Sequence, residues 1–331
     1  MRLLVLGGTR FVGRAVVEAA LDDGHQVTTV NRGVSGHPAA GVDAVVADRT
    51  DKAALQAAIG TGEWDAVIDT WSGAPRAAAD ACDVLAGRTG HYGYVSSVSV
   101  YQWPIPVGTD ESTPVVEADP DSDSNDDYAA AKRGAELAVL RAFGDRALLA
   151  RAGLILGPYE NVGRLPWWLR RIERGGRVLA PGDPAQPFQY IDARDLAAWL
   201  LAAAQQGTTG AFNAVGLPGG ATMGELLTAA VTATGSDAEL TWVDQQVVLD
   251  AGIEPWTELP IWLPRGGETE GMTTVNVTGA HAAGLTDRPI QDTVAATWAW
   301  LQAEGDPKPR NPPGLAPEKE RQVLDNLLNQ N

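Results

Sequence analysis

The chain contains a single cysteine, Cys82, so neither an intrachain disulfide nor a thiolate cluster can form. Cys82 lies in an alanine-rich helical pattern and reads as core filler. Histidine is also scarce. His25, His37, His91 and His281 stand in unrelated contexts without ligand spacing, so no metal centre is expected. There is no Gly-x-Ser-x-Gly elbow for hydrolase chemistry. No apolar run reaches the roughly eighteen residues a membrane-crossing helix needs, and no basic-then-apolar leader opens the sequence. The protein is therefore expected in the cytoplasm and off the membrane. Basic residues are in the minority, with 25 Lys+Arg against 42 Asp+Glu and a net charge of −17. Such a surface repels phosphate backbones, so nucleic acid is not an expected partner.

What is present begins at the first residues. Leu3 to Leu6 is a short apolar run suited to a buried parallel strand. Gly7, Gly8 and Gly13 follow, and Phe11 to Leu21 takes up a helical apolar spacing. Strand, glycine turn and helix together form the context for dinucleotide binding, with the helix's free amides facing a pyrophosphate. Gly7 is expected to permit the tight turn and Gly13 to let the helix pack close to the strand. The residues Gly7, Gly8, Thr9, Arg10, Phe11, Val12 and Gly13 make up this loop.

A chain of 331 residues with 44% apolar content is long enough for about two structural units. Strand patterns at 3–6, 26–30, 44–47, 66–69, 92–96 and 147–150 alternate with helical ones at 11–23, 51–59, 74–86 and 125–143. Six strands with intervening helices predict an α/β fold, a Rossmann-like doubly wound parallel sheet over residues 1–151, to which some later segments return. Residues 102–124 are rich in proline and acid and read as a surface excursion. From 152 to 331 the pattern loosens into a smaller, irregular α/β substrate-binding region, with helices near 163–174, 193–206, 222–234, 288–304 and 318–328. Short strands are expected near 177–179, 188–191, 211–213 and 239–243.

Tyr128-Ala-Ala-Ala-Lys132 is the second motif. It lies just inside the fourth helix, with Ser124 or Asn125 as cap. Its i, i+4 spacing puts phenol and ammonium on one face, where the cation lowers the phenol pKa toward the working range. A phenol of that kind donates and accepts protons near neutral pH. Ser96, Ser97 and Ser99 close the fifth strand, at the sheet edge where ligands bind in open α/β folds.

Taken together these strings resemble the extended and atypical short-chain dehydrogenases/reductases, the NAD-dependent epimerase/dehydratase-like superfamily. Gly7-x-x-Arg10-x-x-Gly13 resembles their Gly-x-x-Gly-x-x-Gly loop, with Arg10 in place of the middle glycine. Ser96-Ser97-x-x-Val100-Tyr101 is similar to their Ser-Ser-x-x-Val-Tyr element, and the resemblance makes Ser97 the serine that binds the reacting oxygen, with Ser96 and Ser99 as second choices. Residues 151–158 and 188–195 resemble two further segments of the family. The resemblance implies Ser97, Tyr128 and Lys132 as the catalytic set, Lys132 also bonding the nicotinamide ribose, and Asp48 bonding the adenine amino group. Arg49 and Thr70 join the expected cofactor set. The glycine-loop variant is also reminiscent of chloroplast stem-loop-binding proteins, which share the fold but are linked to RNA.

Cofactor choice turns on the end of the second strand. Asn31-Arg32 stands where NAD enzymes usually carry an acid. Arg32, with Arg10 from the glycine loop, is suited to a 2′-phosphate, so NADP(H) is the expected cofactor. The arginine that commonly binds a substrate pyrophosphate in the family's nucleotide-sugar enzymes is replaced by Gln186, which argues against such a substrate. Among eleven tryptophans, Trp71, Trp103, Trp256 and Trp262 are the candidate walls of a substrate cleft, as are Trp167 and Trp168. The expectation is an NADPH-dependent reductase acting on a carbonyl or imine of a small, apolar or ring-bearing substrate, as monomer or homodimer. A nucleotide-sugar epimerase/dehydratase with tightly held NAD is the alternative, and a non-catalytic dinucleotide sensor or RNA-associated protein a further one.

Overall fold

Leu3, Leu4 and Val5 have no exposed surface and Leu6 only 2%, so the first strand is buried on both faces and needs no alternation of polar residues. A computed structural model describes residues 1–328 of the chain. It contains strands β1 (Arg2–Leu6), β2 (Gln26–Asn31), β3 (Asp43–Val46), β4 (Trp64–Asp69), β5 (Thr89–Ser97) and β6 (Ala147–Ala152). Helices α1 (Phe11–Asp22), α2 (Lys52–Ile59), α3 (Pro75–Leu85) and α4 (Tyr128–Phe143) lie between them.

The central sheet holds seven strands, not six. The seventh is Gly210–Ala214, which pairs in parallel with β6 and gives the order Gly210–Ala214, β6, β5, β4, β1, β2, β3. All neighbouring pairs are parallel. The sequence placed this strand in the second half because it follows β6 only after a long excursion. The strand order reverses between β1 and β4, and the crevice outside the carboxyl ends there is where ligands bind in such sheets.

The chain divides into two compact units. The first comprises Met1–Ile155, Ala193–Val215 and Val275–Thr286. The helix Ala193–Gln206 belongs to it and packs on α1. The second comprises Leu156–Asp192, Gly216–Thr274 and Asp287–Asn331. Its core is helical, built around Trp168, Leu169, Leu226, Leu227 and Val294. A parallel pair, Arg177–Pro181 with Glu239–Val243, and a short antiparallel pair, Pro187–Phe188 with Ala221–Thr222, flank those helices. Thr222 and Glu225 form a capping box that starts the helix Met223–Thr234. Among the described residues no helix is long and apolar enough to cross a membrane.

Candidate active site

The glycine loop is built by sterics. Gly7 and Gly8 adopt φ of +124° and +100°, conformations closed to other residues, and a Cβ on Gly7 would stand 2.7 Å from the Thr70 hydroxyl. A Cβ on Gly13 would meet the Gly8 amide nitrogen at 2.7 Å, so Gly13 brings α1 against the loop itself rather than against the strand. Arg10 is the N-cap residue of α1 and makes no side-chain cap, and Phe11, with φ of +42°, Val12 and Gly13 precede the first helical bond, from the Arg14 amide to the Arg10 carbonyl at 3.1 Å. Thr70 closes β4 beside Gly7 and donates its hydroxyl to the Leu6 carbonyl at 3.2 Å. Thr9 reaches Ser35 in the segment after β2, hydroxyl to hydroxyl at 3.4 Å.

At the end of β2 the Asn31 side-chain oxygen Oδ1 accepts the Gly33 amide at 2.9 Å, while its Nδ2 is buried without a partner. A buried donor left unmatched is costly, and a ribose hydroxyl or phosphate oxygen would satisfy it. That orphan and the Cβ-free cradle of Gly7, Gly8 and Gly13 fit a dinucleotide. Arg10 and Arg32 are exposed. Asp48 is exposed too. Donation from the Thr50 amide and hydroxyl holds its carboxyl below the usual range, and Arg32 nearby adds to this.

Arg49 corrects the expected cofactor set. Its side chain turns inward, forms a bidentate pair with Asp69 (Nη1–Oδ1 2.5 Å, Nη2–Oδ2 2.8 Å) and lies over the Trp71 ring at 4.8 Å. Asp69 also accepts from the Tyr92 hydroxyl at 2.7 Å and the Trp71 amide at 2.9 Å. Burial pushes its carboxyl up, but Arg49 and these donors outweigh that and hold it below its ordinary range. Both Nη atoms are taken by this carboxylate, and Nε is buried without a partner, so the group faces inward and not toward the loop's open side.

Helix α4 starts at Tyr128, with Asp127 as its cap through the Ala130 amide at 3.1 Å; Ser124 and Asn125 lie before the helix. Tyr128 is half-exposed and Lys132, one turn later, is only 4% exposed. Lys132 Nζ donates to the carbonyls of Trp71 at 2.6 Å and Val95 at 2.8 Å and lies over the Tyr94 ring. Burial lowers its pKa to about 8, against the opposing pull of Asp69 and Glu136. Two of its three protons are thus fixed on backbone and one is left for a ligand.

The three serines separate. Ser96 donates to Glu136 at 2.7 Å within a buried network in which Arg151 grips the same carboxylate from β6. Ser97 caps the turn Val98–Val100, accepting the Ser99 amide and donating to the Ser99 hydroxyl, both at 3.1 Å. Ser96 is therefore structural, and Ser97 and Ser99 remain together at the strand end. Two acids went unread in the sequence: Asp69, a lone charge ending the apolar run Ala66-Val67-Ile68, and Glu136, one turn beyond Lys132 on an alanine-rich helix.

The tryptophans divide as well. Trp71 packs against the apolar core of the first unit and donates its indole N–H to the Ala74 carbonyl. Trp103 is 54% exposed. In the second unit Trp168 is fully buried and bonded to the Pro260 carbonyl, and Trp256 lies under the Arg164 guanidinium at 4.9 Å. A cleft of about 470 Å³ in that unit is lined by Gln186, Phe188, Met223, Trp262, Arg265 and Glu270, among others. Trp262, fully buried, donates to Gln186 Oε1 at 3.3 Å, while Gln186 Nε2 donates to the Leu263 carbonyl at 2.5 Å.

The model of the NAD dependent epimerase/dehydratase family matches residues 3–215. The chain is 31% identical over 210 residues to the 2′-dehydrokanamycin reductase of Streptomyces kanamyceticus, an alignment covering 60% of this chain and 57% of that protein. Among solved structures it is similar to the Bordetella bronchiseptica enzyme WbmH in complex with NAD⁺, at 16% identity and a TM-score of 0.68, over 92% of this chain and 99% of that one. It is similar also to the Thermotoga maritima UDP-glucose 4-epimerase with UDP-glucose, at 18% identity and a TM-score of 0.66, over 92% and 100% of the two chains. These last two likenesses speak to fold alone. With the family model spanning the sheet, the glycine cradle and the Tyr128–Lys132 helix, the chain belongs to the NAD dependent epimerase/dehydratase family.

Proposed function

We propose that the protein is an NADPH-dependent reductase of a carbonyl or imine in a small, apolar or ring-bearing substrate. The observation that carries the reading is the end of β2, where Asn31 offers a buried unpartnered amide and Arg32 an exposed cation in place of an acid. A 2′-phosphate meets a donor and a positive charge there instead of a carboxylate. The reductase named among the relatives supports net reduction, and it is matched over 57% of its length.

The chemistry that a bound NADPH supplies is hydride. The chain's own groups manage the proton. Tyr128 donates it to the developing oxyanion or nitrogen, Ser97 positions that atom, and Lys132 favours the phenolate and bonds the ribose through its remaining proton. The cleft of the second unit is the proposed recognition pocket. Gln186 is neutral and spent at both ends of its amide, so it offers no charge to a diphosphate. Of the arginines that could substitute, Arg170 pairs with Asp306, Arg171 with Glu320 and Arg164 covers Trp256, while Arg265, on the cleft wall itself, faces Asp183 at 3.5 Å.

Fluorescence titration with NADPH and NADH tests the reading. NADPH is expected to bind at least about tenfold more tightly, a factor that one charge-assisted hydrogen bond supplies, and Arg32→Ala to erode the difference. Equal affinities in the wild type would overturn it. NAD⁺ retained through purification, with no net turnover, would put the epimerase reading in its place.

A further inference from the structure

We propose that Asp69 is a positioning residue for Lys132, acting through the Trp71 peptide. The inference rests on the role given to Lys132 above. Asp69 lies at the end of β4 with no exposed surface, and its carboxylate is the acceptor at the centre of a buried cluster. Arg49 grips it from the segment after β3, Tyr92 donates to it from β5, and the Trp71 amide donates to it from the turn that follows β4.

The other end of residue 71 points to the catalytic helix. Its carbonyl accepts both Lys132 Nζ at 2.6 Å and the Tyr94 hydroxyl at 3.0 Å. The Trp71 indole N–H is tied to Ala74, and its ring lies under Arg49. Residue 71 is thus held at its amide by Asp69, at its indole by Ala74 and on its ring face by Arg49. Its carbonyl, fixed in this way, is one of two acceptors that aim the ammonium. The other, Val95, belongs to β5 and is fixed by the sheet ladder. A shift of the Trp71 peptide re-aims the Lys132 proton that remains for a ligand.

Burying a charge in a cluster of this kind costs desolvation, and an apolar replacement of the Arg49–Asp69 pair is often tolerated. Fold stability by itself is therefore a weak account of the pair, and its position beside the lysine points to another role. The test separates the charge from the anchor. Arg49→Met with Asp69→Asn removes both charges but keeps an oxygen for the Trp71 amide. Arg49→Met with Asp69→Leu removes the anchor as well. NADPH affinity and melting temperature are measured for each, alone and combined with Lys132→Met.

Lys132→Met is expected to weaken NADPH by about tenfold, the loss of one charge-assisted bond. The asparagine variant should retain wild-type affinity. The leucine variant should lose about as much as Lys132→Met, and should lose nothing more in its presence. Should the leucine variant not fold, Asp69→Glu moves the acceptor by one methylene while keeping the charge, and the same dependence on Lys132 is expected. A loss that adds in full to that of Lys132→Met, or equal affinity in the asparagine and leucine variants, overturns the positioning role alone. Unchanged affinity in Lys132→Met by itself overturns the role of the lysine, and the inference with it.

Discussion

Lys132 carries its charge where almost no water reaches it, and that sets the pH behaviour expected of the site. Burial brings its pKa down to about 8. It therefore loses its proton as the pH rises through that value, and with it goes the cation proposed to favour the Tyr128 phenolate. The quantity kcat/KM, which reports ionisations of the free enzyme, should decline on the alkaline side near pH 8. A flat profile from pH 7 to 9.5 would remove Lys132 from the mechanism. Tyr128 makes a complementary prediction. Tyr128→Phe keeps the ring at the start of α4 but removes the transferable proton. Turnover should fall by about a hundredfold or more while NADPH binding stays within a factor of two or so. Turnover and titration on the same sample decide it.

At the scale of an element, the helix Arg164–Glu173 is started by a buried acid. Glu160 accepts the Arg164 amide at 2.7 Å and the Leu165 amide at 3.2 Å, and has no exposed surface. Burial raises its pKa to about 7 in spite of those bonds. A carboxyl whose folded pKa lies above its unfolded value contributes stability that is complete below about pH 4, and the contribution is lost as the pH rises through about 7. Glu160→Gln keeps an acceptor for the helix amides but cannot ionise. Its melting temperature relative to the wild type should therefore rise between pH 5 and pH 8, by the equivalent of about 3 kcal/mol at most. A difference that does not change with pH would show that the carboxyl is neutral, or charged, throughout. Helix α4 illustrates the same chemistry at the surface. Asp127, not Ser124 or Asn125, is its cap, and this puts Tyr128 at the first helical position. Several polar residues precede the helix, and only the backbone geometry distinguishes which of them folds over the open amides.

Across the whole molecule, a charge of −17 and a neutral Gln186 both oppose a substrate diphosphate. Arg265 on the cleft wall already faces Asp183, and burying a diphosphate beside that single shared cation leaves charge uncompensated. Calorimetry with a panel of nucleoside-diphosphate sugars should show no micromolar binding, whereas a neutral ring-bearing ketone should be turned over with NADPH. Micromolar affinity for any of the sugars would move the function to the epimerase or dehydratase reading. The neighbouring folds include an epimerase with UDP-glucose, so the comparison of the two ligand classes is direct.

The sequence by itself determined the order of the elements and the place of the glycine loop. Apolar runs that recur between helical periods admit little besides a parallel sheet, and glycines at positions 7, 8 and 13 are demanded by backbone geometry that any reader of the chain can infer. The Tyr128–Lys132 spacing on one helix was legible for the same reason, since both depend on local periodicity. The tertiary structure decided what depends on partners distant in the chain. It gave Gly210–Ala214 to the central sheet, 58 positions beyond the end of β6, because pairing with an edge strand is set by space and not by sequence separation. It turned Arg49 inward to Asp69, although an arginine beside Asp48 reads equally well as a surface ligand for a phosphate. It sent Ser96 to Glu136 and left Ser97 with Ser99, a division that three serines on one strand end do not reveal. It buried Trp262 behind Gln186. In each case the outcome turned on which charge or hydrogen-bonding group found its partner across the fold, and a linear pattern carries no record of that choice.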